Sequence, residues 1–300
     1  MSKAHPPRTV DPTHPPPALT SKSARKASTV QPTNPSSPTT PAKRTRAMPP
    51  KPLVESLNAL PLSTYQSQLL PSLPLTLDPS SDAAESSNAD PTTPSDSLTL
   101  TFASTKTLSA ADFRACFSLI ESTSSTAYAA SSIGWSASQK QQEMRLPDLR
   151  YLVVKEAYTP TDTFTQRCMK RRGEGEVRWR VGGFMSFMLT YEDGYEVVYC
   201  YEVHLTETLR GKGVGKHLMG ILEGVGEQAG VQKVMLTVLC ANEGAREFYG
   251  RLGYEEDEYS PGPRVLRGGV VKEADYQILS KPLQEVVRRP EHVANKKRKW

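Results

Sequence analysis

One stretch, EVVYCYEVHLTETLRGKGVGKHL at residues 196–218, constrains the fold more than any other part of the chain. Val197, Tyr199, Tyr201, Val203 and Leu205 alternate along a run of β-formers, which predicts a strand. Val214, Leu218, Ile221, Leu222, Val225 and Ala229 recur at helical spacing, which predicts a helix from about Gly213. Gly211, Gly213 and Gly215 lie between them, among Arg210, Lys212, Lys216 and His217. A glycine-rich turn from strand to helix gathers unpaired backbone N–H groups at a helix N-terminus, where geometry and dipole together hold an anion. A tight turn with a solvated collar of cations is the plainer alternative; the strand before it and the helix after it favour the anion site.

Two familiar phosphate loops do not fit. G-x-G-x-x-G needs its third glycine three residues after the second, whereas these are spaced by two, and no G-K-[ST] closes a Walker loop. What remains is Arg-x-x-Gly-x-Gly, met by Arg210, Gly213 and Gly215. This resembles the pyrophosphate loop of the GCN5-related N-acetyltransferases (GNAT), which bind acetyl-coenzyme A.

The rest of the chain is uneven. Residues 1–50 hold 12 of the 25 prolines and almost no large apolar side chains, too few to offset the entropy of ordering. We therefore expect a disordered arm at 1–52, a docking helical segment at 53–75, a low-complexity linker at 76–96, a compact domain at 97–282 and a basic tail at 283–300. Residues 1–50 carry eight Lys/Arg against one acid, and residues 286–300 six against one, so a chain of net +5 leaves −7 on residues 51–285. An acidic domain attracts cationic ligands and repels nucleic acid, which favours a basic protein or peptide as substrate; acids that merely coat a solvated surface would give the same count. The basic runs Lys43–Arg46 and Lys296–Lys299 suit nuclear import or contact with nucleic acid or ribosomes. Cys116, Cys168, Cys200 and Cys240 form no C-x-x-C pair and the five histidines are dispersed, so neither a zinc site nor a disulfide framework is expected. No window of about 18 apolar residues predicts a membrane span.

Within the domain the pattern predicts a strand at 97–102, a helix at 109–128 capped by Ser109, a short polar helix at 136–144 and a strand at 149–157. The segment TFTQRCMKRRGEGE reads as a surface insertion. Runs 181–189 and 196–205 pair as a hairpin through YEDGY. The strand KVMLTVLC, a helix carrying Ala245, Phe248, Tyr249 and Leu252 on one face, and a final strand DYQILSK closing the sheet follow the glycine loop. The sum is an α/β domain, a mixed central sheet with helices on both faces. NEGAREFYGRLGY (Asn242–Tyr254) resembles a second GNAT segment, N-x-x-A-x-x-x-Y-x-x-x-G-[FY]. YCYEVHL, KVMLTV, IGW (Ile133–Trp135) and DYQILSK together resemble the N-alpha-acetyltransferase D family, which acetylates the N-terminal serine of histones four and two-A.

The resemblance implies roles residue by residue. Arg210, Gly211, Lys212, Gly213, Val214, Gly215 and Lys216 would hold the pyrophosphate of acetyl-coenzyme A, with no metal. Val203, His204 and Leu205 would pair with its pantetheine arm, an amide there (Val203) polarising the thioester carbonyl. Glu202 would act as general base on the substrate's α-amine or stand as an ordinary strand acid. Tyr201 and Glu202 face opposite sides of an ideal strand, so both reach the site only if the strand carries the superfamily's bulge. Tyr249 would protonate the leaving thiolate or pack in the core, and Asn242 would touch the cofactor or cap the next helix. Tyr128, Tyr201, Thr237 and Tyr276 would surround a Ser-Gly-Arg-Gly tail with Glu192 facing its arginine. Thr190 and Ile133 depart from the family pattern near that arginine pocket, and Trp135 reads as core. The expected protein is a monomeric enzyme of nucleus and cytoplasm that acts on histone tails without a membrane. Its rivals are a GNAT enzyme for a lysine or small amine, and a chromatin-associated binding protein.

Overall fold

The computed structural model describes residues 52–70, 76–77, 98–158, 178–265, 267 and 269–283. The expected arm, most of the linker, the charged insertion and the basic tail beyond residue 283 lie outside them. In chain order the elements are α1 (Leu53–Asn58), α2 (Leu62–Leu69), β1 (Thr76–Leu77), β2 (Leu98–Ser104), α3 (Ala110–Ala130), α4 (Ala137–Glu143), β3 (Arg150–Tyr158), β4 (Arg178–Glu192) and β5 (Tyr195–Leu205). A 3-10 turn at Glu207–Leu209 leads to α5 (Val214–Ala229), β6 (Lys233–Leu239), α6 (Glu243–Arg251), β7 (Glu255–Glu256), β8 (Arg264–Val265), β9 (Val271–Lys272) and β10 (Tyr276–Pro282).

The main sheet runs β1-β2-β3-β4-β5-β6-β10-β7. Every neighbouring pair is antiparallel except β5 and β6. The expected hairpin forms between β4 and β5, and Asp193 (φ 49°) and Gly194 (φ 87°) both sit in the left-handed region that a two-residue primed turn demands. Ser109 caps α3 by accepting from the Asp112 amide at 3.0 Å, as its position before the apolar stripe predicts.

Two apolar layers sandwich the sheet. One face buries Leu152, Met185, Phe187, Val198 and Leu236 beneath α5, whose Leu218, Met219 and Leu222 are wholly inside. The other face buries Tyr151, Val153 and Phe184 beneath Cys116 and Ile120 of α3. The mixed sheet with helices on both faces is the one the sequence predicts.

Three details depart from expectation. The docking segment is two helices rather than one, because Pro61 sits at the N-cap of α2 (φ −55°, ψ 146°) and the residue before a proline is pushed out of helical geometry. It docks through Val54, Tyr65 and Leu69, all buried, while Arg150 Nη2 donates to the Asn58 carbonyl at 3.1 Å. Strand β10 does not close the sheet: it lies between β6 and the two-residue edge strand β7. The hairpin β8–β9, rich in exposed valine, gave no alternating signal in the sequence.

Candidate active site

The site is built on an irregularity in β5. Ser186 pairs with Glu202 but Phe187 pairs with Cys200, so Tyr201 is an extra residue on β5. Before the bulge, Val198 and Cys200 point into the α5 layer; after it, Val203 and Leu205 do. Even positions give way to odd ones on that face. On the opposite face Tyr199 and Tyr201 (rings 5.5 Å apart) are therefore followed by Glu202 and His204, the last stacked on Phe184 at 5.7 Å. The bulge brings Tyr201 and Glu202 to one side, as the acetyltransferase reading requires.

Glu202 is buried and doubly tied. Lys140 Nζ donates to Oε1 at 2.8 Å, and His204 Nε2 lies 2.6 Å from Oε2. An ionised carboxylate only accepts, so Nε2 is the donor and Nδ1 faces Thr123 Oγ1 at 2.7 Å. Burial pushes the Glu202 carboxyl up, but the charge of Lys140 and the hydrogen bond from His204 outweigh it and hold the pKa at about 2. Burial lowers the Lys140 pKa, and Glu202 more than restores it, leaving the ammonium well above its ordinary value. Glu143, 3.1 Å from Lys140, is pushed up chiefly by burial. Lys140 also lies 4.9 Å over the Tyr128 ring, within cation–π range. Glu202 pushes the Tyr128 phenol up most, with burial behind it.

Strands β5 and β6 share a parallel ladder only from Val197/Lys233 to Cys200/Leu236, after which they part. The gap opens a cavity of about 2050 Å³. At one end sits the glycine loop. Gly211 (φ 73°) and Gly213 (φ 76°) are both left-handed, and Gly213 is the N-cap of α5. A Cβ at either would meet nothing within 4 Å, so backbone conformation, not crowding within the chain, selects glycine there. The N-terminal amides of α5 thus face the cavity with Arg210, Gly211, Gly213, Gly215 and Lys216 in its wall. Arg210 Nε donates to the Leu205 carbonyl at 3.3 Å, and the exposed chain around it leaves room for an anion. Lys212 is exposed outside the cavity wall, and the Val214 side chain is in the core, so Val214 can offer only its amide. Val203, His204 and Leu205 line the gap on the β5 side. The donors, positive charge and unladdered strand edge fit a long ligand with a phosphate at one end, as acetyl-coenzyme A is.

Asn242 caps α6, its Oδ1 accepting from the Ala245 amide at 3.2 Å, and also lines the cavity. Tyr249 lines it half-buried against Phe248 and Tyr254, its phenol pushed up by burial, so it is both packed and within the site. At the other end the structure gathers Tyr128, Glu192, Tyr201, Thr237 and Tyr276, all in the cavity wall. Thr237 Oγ1 and the Tyr199 hydroxyl are 2.6 Å apart. Glu192 is buried, its Oε2 has no partner among the described residues, and burial raises its pKa to about 7. Trp135 is half-buried: it stacks on Phe117 and Tyr128 beside the α3 core layer and also lines the cavity.

Sequence reasoning missed Lys140, Thr123 and the side-chain role of His204. Lysine in a polar seven-residue helix reads as solvated, and nothing local shows that α4 lays it against β5. A buried acid on a strand does demand a cationic partner, and that requirement was the one available signal.

Residues 137–254, a span that holds the bulged strand β5, the glycine loop and α6, match the acetyltransferase (GNAT) family. The chain is also similar to N-alpha-acetyltransferase 40 of Saccharomyces cerevisiae, 35% identical over 101 residues. That match covers 28% of this chain and 35% of the yeast protein, so it spans about a third of the relative's length. Among solved structures, the ribosomal-protein-S18-alanine N-acetyltransferase of Escherichia coli is 16% identical, covering 64% of this chain and 99% of that one with a TM-score of 0.38. NAA60 of Arabidopsis thaliana, solved with a bisubstrate analogue, is 15% identical, covering 61% and 98% with a TM-score of 0.40. At these scores the likenesses say nothing about the site.

Proposed function

We propose that this chain is an acetyl-coenzyme A-dependent N-terminal acetyltransferase, and that its acceptor is the N-terminal serine of histones four and two-A. The observation that carries the activity is the bulge at Tyr201, which sets an acid and a tyrosine beside a gap in the sheet. The 35% identity to yeast N-alpha-acetyltransferase 40 supports an α-amine as acceptor. For the histone tail the support is Glu192, a buried carboxylate in the cavity wall whose Oε2 has no partner among the described residues, suited to a guanidinium.

Acetyl-coenzyme A, when bound, supplies an activated acetyl group as a thioester. The glycine loop and Arg210 would hold its phosphate, and an amide of Val203–Leu205 would donate to the thioester carbonyl oxygen and stabilise negative charge there. The α-amine has a reference pKa of about 7.7–8.0, so part of it is neutral at physiological pH. With a pKa near 2, Glu202 is a weak proton acceptor. Its contribution is electrostatic: a fixed negative charge that favours the cationic nitrogen formed on attack, with the proton leaving through water. Tyr249, in the cavity wall, would give a hydrogen bond to the departing sulfur. In this reading the protein works as a monomer in nucleus and cytoplasm, and the basic runs at either end serve import or contact with nucleic acid or ribosomes.

Incubation with acetyl-coenzyme A and a panel of peptides, with the acetyl group located by mass spectrometry, tests the proposal. Acetyl on the terminal amine of Ser-Gly-Arg-Gly peptides supports it; acetyl only on lysine side chains or small amines overturns it.

A further inference from the structure

A line of three side chains runs from the buried acid to the surface of α3. Glu202 and His204 have 5% and 8% of their side chains exposed, whereas Thr123 is exposed. His204 Nε2 lies 2.6 Å from Glu202 Oε2, and His204 Nδ1 lies 2.7 Å from Thr123 Oγ1. Nε2 donates to the carboxylate, so a neutral imidazole carries its lone pair on Nδ1, facing Thr123. The Thr123 hydroxyl has two acceptors in reach, Nδ1 and the Leu119 carbonyl, each at 2.7 Å. That carbonyl already accepts within the α3 ladder, while the ring lone pair has no other donor among the described residues. The hydroxyl hydrogen therefore belongs to Nδ1.

The ring is held in place. Phe184 stacks on it at 5.7 Å, and Glu202 is itself fixed by Lys140 at 2.8 Å. An alcohol bonded to an imidazole whose far nitrogen is held by an ionised carboxylate is the arrangement that makes a hydroxyl nucleophilic. The two ring nitrogens are exchanged relative to the serine-protease arrangement, but the roles are the same. Thr123, Val203 and His204 all line the cavity. His204 follows Val203 directly, so the base adjoins the amide assigned to the thioester carbonyl.

We propose that Thr123 is a second acetyl acceptor, and that without a peptide amine the protein transfers acetyl from acetyl-coenzyme A to its own Thr123. Oγ1 attacks the thioester carbon while Nδ1 takes the hydroxyl hydrogen. The carbon–sulfur bond breaks, and the proton on Nδ1 passes to the departing thiolate. The products are a threonine acetyl ester and free coenzyme A. Water attacking that ester, with Nδ1 again taking the proton, releases acetate and restores Thr123. Glu202 orients the imidazole and Lys140 keeps Glu202 ionised. This inference rests on acetyl-coenzyme A as donor in this cavity, but not on which amine the protein acetylates.

The test incubates full-length protein with acetyl-coenzyme A bearing a carbon-13 acetyl group and no peptide. Mass spectrometry locates the label, hydroxylamine distinguishes an ester from an amide, and chromatography follows free coenzyme A. Wild type should carry the label on Thr123 in a form that hydroxylamine removes, or release coenzyme A continuously if the ester hydrolyses quickly. Thr123→Val should abolish the label and slow acceptor-free release at least tenfold, while Thr123→Ser should retain both. His204→Gln, which keeps a donor to Glu202 but no base, should slow both about a hundredfold. Thermal melts and coenzyme A titration confirm that each variant is folded and binds cofactor, and the position of the label on wild type is read without any variant. If Thr123 only ties α3 to β5, Thr123→Val lowers the melting temperature and wild type shows neither label nor Thr123-dependent release, which overturns the proposal. Label confined to lysines and resistant to hydroxylamine, with no such release, overturns it as well and leaves peptide acetylation intact. Wild type that binds no coenzyme A overturns both readings.

Discussion

Lys140 Nζ lies 2.8 Å from Glu202 Oε1, an ion pair with 12% and 5% of its side chains exposed. Each charge would be costly in that place without the other. The pair also joins α4 to the bulged strand, so the short polar helix is part of the site rather than its covering.

Removing one member exposes that dependence. Lys140→Met should cost about 3–5 kcal/mol of stability, because it leaves Glu202 buried with only His204. Glu202→Gln should cost less and lower turnover with little change in coenzyme A binding. Chemical denaturation and calorimetry on the two variants check the order.

The same pair sets an acid limit. The Glu202 pKa falls from 4.5 to about 2 on folding, so its stabilisation is complete above about pH 4.5 and lost as pH falls toward 2. Glu202→Gln should flatten the stability profile across that window. Between pH 6 and 9 Glu202 stays ionised, so the rate should rise with deprotonation of the substrate amine alone. A rate profile in wild type that bends at a group absent from Glu202→Gln would show the acid titrating in the working range.

Glu192 behaves in the opposite sense. Its pKa rises on folding from 4.5 to about 7, so the stability it contributes is present below about pH 4.5 and lost as pH rises toward 7. Its charge, by contrast, appears above pH 7. KM for an arginine-bearing acceptor should fall as pH rises through 7, and Glu192→Gln should abolish that trend. Changing the acceptor's arginine to alanine should cost about 1.5–3 kcal/mol in wild type and little in the variant.

Gly213 makes two demands at once. With φ at 76°, Gly213→Ala should cost about 1–2 kcal/mol of stability even without ligand. Gly213→Glu should add the loss of coenzyme A binding, read by calorimetry at a temperature where the variant is folded. Wild-type affinity in Gly213→Glu would remove the loop from phosphate binding.

The docking helices are structural. Tyr65 is fully buried, stacks on Phe102 at 5.8 Å and lies under the Arg150 guanidinium. Tyr65→Ala should cost about 3–5 kcal/mol by thermal unfolding, with coenzyme A affinity retained in whatever remains folded.

The strand–loop–helix unit, the hairpin and the layered sheet were legible because period and turn chemistry are local. Asp193 and Gly194 announce their turn without help from the rest of the fold. The bulge at Tyr201 was legible only as a conflict, two site residues on consecutive positions of one strand, which the resemblance resolved and the register then displayed. Lys140 was illegible, since its burial depends on where α4 lands on β5, a tertiary fact with no periodic trace. Thr123 and His204 were hidden for a similar reason: a bond across 81 positions leaves no mark in either neighbourhood.

The parting of β5 and β6 after Cys200 and Leu236 has a consequence beyond the reaction. A strand edge left without a neighbour at the rim of a sheet is a template on which other chains can assemble. Here the vacant edges lie within the sheet, flanked by the glycine loop and α6, in a notch that a thin flexible ligand enters more readily than a second β-strand. The protein keeps unsatisfied main chain ready for use and, by its placement, shelters it from aggregation.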